Sequence, residues 1–113
     1  MPRTAQARLI DMRDALAGIG EILAATEYEA FEASWMLQRA VERGLEIISE
    51  ASRALPADLN QQAPDLPWPQ IAAIGNVLRH EYQRVEPRIV WNIAREHLPN
   101  LEVAVRDLLD DLV

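Results

Sequence analysis

The chain has 113 residues, with half of them hydrophobic and 26% charged. This is the balance of a soluble globular domain, with room for one core and too little for two ordinary ones. Eighteen acids oppose eleven bases, for a net charge of −7, which argues against a general nucleic-acid coat protein. There is no cysteine, so disulfides, thiolate metal sites and cysteine nucleophiles are excluded together. No apolar run approaches the roughly 18 residues that a bilayer crossing requires. The amino-terminal stretch turns acidic and amphipathic almost at once, which points to a cytoplasmic domain rather than a secreted one. All eleven bases are arginines, a bias that genomic base composition explains. Between Arg79 and His97 four arginines meet three glutamates, so this segment is locally positive while the remainder is strongly negative. A phosphate would be tolerated best there.

Taken in chain order, Leu9, Met12, Leu16, Ile19 and Leu23 recur at three- and four-residue steps and predict an amphipathic helix over Thr4 to Ala25. Thr26 to Glu29 has the capping-box pattern and opens a short helical turn through Phe31. A second long helix, Ser34 to Leu55, carries Leu37, Val41, Gly44, Ile48, Ala51 and Leu55 on its stripe, and Gly44 lets another helix come close. Pro56, Pro64, Pro67 and Pro69 punctuate a connection of about a dozen residues. Trp68 should fix the start of a third helix, which runs to Tyr82 with Ile71, Ile74 and Leu78 inward. Glu86-Pro87 opens a fourth helix with Ile89, Val90 and Ile93, and Pro99 opens a fifth with Leu101, Val105, Leu108 and Leu112. No segment alternates with the period of a strand. The expected fold is all-α, an antiparallel up-and-down bundle of four main helices with shorter helical segments, in one domain over residues 1–113.

Standard catalytic signatures are absent: there is no Gly-rich phosphate loop, no HExxH and no GxSxG. His80 and His97 are the only histidines, too few for a multi-histidine metal site in one chain, and no cofactor is implied. Chemistry concentrates in Gly75-Asn76-Val77-Leu78-Arg79-His80-Glu81-Tyr82. At about 100° per residue, Asn76, Arg79 and His80, with Tyr82 nearby, occupy neighbouring positions of one face, while Ile74, Leu78 and partly Val77 turn inward. A proton-transfer group, a fixed cation and an amide on one face suit phosphodiester chemistry. The same spacing also describes a plain solvated Arg-His-Glu face anchored by Tyr82. Elsewhere, Trp35 and Trp91 read as core or interface aromatics, Glu42, Glu46 and Glu50 as a solvated face, and His97 as a surface or capping residue near a helix carboxy terminus.

The string AIGNVLRHEYQRVEPRIVW, the following LPNLEVAV and the earlier AVERGLEIISEASRALP together resemble HepT-like proteins of the HEPN superfamily, over nearly the whole chain. The resemblance implies a helical homodimer acting as the toxin of a toxin–antitoxin pair of type II or VII character, and cleaving RNA without a metal. It also implies a nucleotidyltransferase antitoxin of the MntA type as partner. The family motif is an arginine, usually an asparagine, three further residues, a histidine, any residue and a tyrosine. Asn76, His80 and Tyr82 match it, whereas Gly75 stands where the arginine belongs. In such proteins histidine manages protons at the ribose 2′-hydroxyl and the leaving oxygen, arginine holds the phosphate, and the tyrosine receives AMP from the antitoxin. Arg79, one turn after Gly75, is the expected substitute for the missing cation. On helix propensity alone Gly75→Arg should leave the fold intact. Loss of the arginine opens a second reading, a catalytically inactive helical subunit that dimerises and docks onto the nucleotidyltransferase.

Overall fold

The computed structural model of the chain describes residues 4–81 and 86–112, with the side chains of residues 79–81 outside that description. Six helices appear among the described residues, and no strand: α1 (Ala5–Ala25), α2 (Tyr28–Glu32), α3 (Trp35–Arg53), α4 (Ala57–Gln61), α5 (Trp68–Glu81) and α6 (Pro87–Asp111). The all-α bundle expected from periodicity is therefore present, with α1, α3, α5 and α6 as its long members.

Helix α1 starts where Thr4 Oγ1 accepts a hydrogen bond from the Ala7 N–H at 3.1 Å, which satisfies one of the donors left over at a helix start. Its stripe of Leu9, Met12, Leu16 and Ile19 is buried against α3 and α6. The close approach to α3 occurs at Gly44, where a Cβ would lie 2.7 Å from Ile19 Cδ1. Any side chain there would force Ile19 to shift, so glycine suits this close approach, as the stripe suggested. Ser34 caps α3 by accepting from the Leu37 N–H at 3.1 Å.

Between α1 and α3 the capping box did not form. Thr26 is used as the extended C-cap of α1, so α2 begins one residue later, with Glu27 at its N-cap and no side-chain hydrogen bond. The short helix is held at its other end, where the Gln38 amide donates to the carbonyls of Phe31 (3.1 Å) and Glu32 (2.8 Å). Phe31 is fully buried and packs on Trp91 at 5.2 Å between ring centroids. The proline-rich connection contains α4, a turn that periodicity was too short to reveal. Trp68 ties it down, its Nε1 donating to the carbonyls of Asn60 (3.1 Å) and Ala63 (3.0 Å). The indole thus fixes the start of α5.

The clearest correction concerns Pro99. Two helices were expected, opened at Pro87 and Pro99, but α6 runs through Pro99 without interruption. Proline removes one backbone donor and crowds the preceding turn, at a cost of about 3 kcal/mol in a helix interior. Seven buried side chains oppose that cost: Val90, Trp91, Ala94, Leu98, Leu101, Val105 and Leu108 lie on one stripe spanning both sides of the proline. Burying each large member contributes on the order of 1.5–3 kcal/mol, so packing wins. At about 1.5 Å per residue the helix covers most of the molecule's 41 Å long dimension. His97 consequently sits exposed in mid-helix, not near a carboxy terminus.

Two smaller readings also change. Trp91 is buried, but Trp35 is 69% exposed with the Arg39 guanidinium 5.6 Å from its ring centre, so it is no core residue. Glu42 is buried rather than solvated, because Arg39 Nη2 reaches its carboxylate at 2.6 Å. Glu46 pairs with Arg43 at 3.2 Å, and Glu50 is exposed.

Candidate active site on helix α5

Helix α5 lies against α3, and one polar contact fixes their separation. Ser49 of α3 has no exposed surface. Its hydroxyl accepts from the Gly75 N–H at 2.9 Å and donates to the Ala72 carbonyl at 2.7 Å. One side chain thereby bonds to the backbone of consecutive turns of the neighbouring helix. That contact needs a bare backbone: a Cβ at residue 75 would lie 2.8 Å from Ser49 Oγ and 3.3 Å from Ser49 Cβ. Gly75 is buried in this junction, with Ile71 and Leu78 on the same inward face. Position 75 therefore faces α3.

Asn76, the next residue, is exposed. Arg79 and His80 belong to the backbone of α5 one turn later, with their side chains outside the described residues, and Tyr82 lies outside the described residues altogether. By helical register the His80 position falls between those of Asn76 and Val77 on the circumference, and the Arg79 position between those of Gly75 and Asn76. The inward turn expected in part for Val77 is not found, because it is 49% exposed.

Val77 and the 51% exposed Ile89 instead belong to an apolar groove of about 170 Å³ between α5 and α6, also lined by Ala73, Ile74 and Ile93. A roomier concavity of about 540 Å³ between α1 and α3 mixes Arg8, Asp11, Asp14, Arg43 and Glu50, and contains none of the residues singled out on α5.

Two residues of this neighbourhood were missed in the sequence. Ser49 falls four residues after Leu45 on the apolar stripe of α3, a small hydroxyl at a core position, which is the signal that could have found it. Arg53 follows one turn later, in the last turn of α3, exposed, with Nη2 3.8 Å from where a Cβ of residue 75 would be. A cation there suits the negative end of the helix dipole, and nothing in its spacing connects it to α5. Among the described residues, no group of three or more histidine, aspartate or glutamate side chains is arranged to hold a metal ion. No described helix is long and apolar enough to cross a membrane.

Comparison with known proteins gives the family. The family described as "Ribonuclease HepT-like" matches residues 12–108. The chain is 34% identical over 102 residues to a Thermococcus cleftensis protein named "Probable ribonuclease HepT", covering 90% of this chain and 93% of the relative. It is 31% identical over 103 residues to a Methanocaldococcus jannaschii protein provisionally named an RNase, covering 91% and 94%. A Caldanaerobacter subterraneus relative, also provisionally named an RNase, is 38% identical over 82 residues, covering 73% of each chain. No solved structure matches. With an all-α bundle and a family match that spans most of its length, the chain belongs to the HepT-like family of the HEPN superfamily.

Proposed function

We propose that residues 1–113 form one HepT-like domain that acts as a homodimeric, metal-independent endoribonuclease in the cytoplasm. It would be the toxin of a toxin–antitoxin pair whose antitoxin is an MntA-type nucleotidyltransferase. The observation that carries this reading is the exposed α5 face, with Asn76 in place and the His80 register position beside it, in a chain whose relatives bear ribonuclease names. In the reaction the ribose 2′-oxygen attacks phosphorus and the P–O5′ bond breaks. His80 takes the 2′-hydroxyl proton and a proton is returned to the departing 5′-oxygen. Asn76 and Arg79 orient and neutralise the phosphate. The products are a 2′,3′-cyclic phosphate and a 5′-hydroxyl. Tyr82 is the residue to which the antitoxin would transfer AMP, adding a charged nucleotide beside the site.

The test is incubation of the purified protein with single-stranded RNA in excess chelator. Cleavage with 2′,3′-cyclic phosphate ends is the expected result, and intact RNA at every concentration tried would refute the reading.

Dimerisation has its own support. Val77 and Ile89 leave an apolar groove open beside the α5 face, and a two-fold related copy laid across it would bring two α5 faces to one cleft. Light scattering should give twice the chain mass at micromolar concentration without antitoxin, and a monomer would remove this part of the proposal.

The second reading is the catalytically inactive interaction subunit. It is favoured by Gly75, whose buried place against Ser49 leaves no room for the family arginine. RNA left intact by a protein that dimerises and binds the nucleotidyltransferase would select it.

A further inference from the structure

We propose that Arg53 is a phosphate-holding residue of this RNA site, reaching it from α3 rather than from α5. The inference rests on the ribonuclease reading above and adds to it a residue from a different helix. The first support is position. Arg53 Nη2 lies 3.8 Å from where a Cβ at residue 75 would be, so the guanidinium rests over the bare backbone next to exposed Asn76. A Cβ at 75 would meet Nη2 at ordinary van der Waals distance, so Ser49 is what keeps the position bare, and a longer side chain there would compete with Arg53 for the same space.

The second support is charge. Arg13, Arg39 and Arg43 each pair with a carboxylate. Among the described residues no carboxylate pairs with Arg53, a trait it shares with Arg8, Arg88, Arg95 and Arg106, so its charge is available to an anion even though exposed Glu50 lies three residues earlier on the same helix. The dipole at the end of α3 explains why a cation is tolerated there. It does not explain why the side chain extends over α5.

The third support is preorganisation. The Ser49 hydroxyl is bonded to both Gly75 and Ala72 one turn before Arg53, so the backbone that bears Arg53 is held at a fixed height relative to α5. A planar guanidinium reaching out from there can make two parallel hydrogen bonds to phosphate oxygens, which an ammonium cannot.

The experiment compares the parent with Arg53→Ala and Arg53→Lys, and with Arg43→Ala as a control for loss of one arginine from α3. Binding of a fluorescein-labelled single-stranded RNA of mixed sequence is followed by anisotropy across a salt series, and cleavage of the same RNA is measured in chelator. Arg53→Ala should slow cleavage roughly ten- to hundredfold, as loss of a charge-assisted bond does. It should also flatten the dependence of log affinity on log salt by about 0.7 for each phosphate no longer neutralised. Lysine should restore the salt slope but little of the rate, and Arg43→Ala should match the parent. If the parent cleaves and Arg53→Ala leaves rate and salt slope unchanged, Arg53 is overturned while the ribonuclease reading stands. If the parent does not cleave but its RNA affinity falls on Arg53→Ala, the catalytic reading fails and Arg53 stands. A parent that binds no RNA at low salt overturns both. Circular dichroism melts keep a folding defect from passing as either result.

Discussion

Gly75→Arg is expected to destabilise the protein by roughly 2–5 kcal/mol, enough to unfold a marginal domain, whatever it does to activity. Helix propensity alone says otherwise, because arginine is the better helix former by somewhat under ~1 kcal/mol. That gain is outweighed at this position. The first atom of any side chain at 75 would sit 2.8 Å from Ser49 Oγ, so either α3 and α5 separate or Ser49 moves. Overpacking of this kind costs about 1–3 kcal/mol. Displacing Ser49 also breaks its bonds to Gly75 and Ala72, at about 0.5–1.5 kcal/mol each. The obvious restoration of the family arginine is therefore no clean test of catalysis. Urea denaturation would check this, and a Gly75→Arg protein as stable as the parent would show that the junction yields easily. Combining Gly75→Ala with Ser49→Ala should recover part of the single-variant loss, since the clashing hydroxyl is then absent while the Cβ contact at 3.3 Å remains.

The long helices were legible because each repeats its apolar residues often enough to define a face. Leu9, Met12, Leu16 and Ile19 mark α1, and Val41, Ile48 and Ala51 mark α3. What misled was local punctuation. Pro99 carries a strong stop signal, but the stripe from Val90 to Leu108 keeps its register through it, and tertiary packing overrides a single unfavourable residue. Thr26 has the right neighbours for a cap yet is consumed in ending α1. The site was legible only along α5. Periodicity assigns faces within one helix and is silent on what another helix brings to it. Gly75 therefore read as a vacancy on the catalytic face, when it is a buried seat for Ser49. Arg53, twenty-two residues earlier in the chain, could be joined to that seat only once α3 and α5 were seen side by side.

The largest effect on activity is expected from His80→Ala, which should reduce RNA cleavage by a factor on the order of 10²–10⁴. Its register position next to exposed Asn76, and away from the buried Ile71, Gly75 and Leu78 face, makes it a poor contributor to the core. The variant should accordingly melt within about 1 kcal/mol of the parent. An unfolded His80→Ala protein would make His80 structural and remove the proton-transfer group from the proposed site. Arg79→Ala, read in the same assay, separates the two functional readings. If Arg79 neutralises the phosphate from α5, its loss should approach that of His80, and lysine should rescue poorly because a point charge lacks the planar fork. If position 75 marks lost catalysis, neither change alters anything, because there is no cleavage to lose. Residual cleavage in Arg79→Ala that disappears when Arg53 is also changed would mean that cations from two helices share one phosphate. Such sharing is what a site would use when the position between them must stay a glycine.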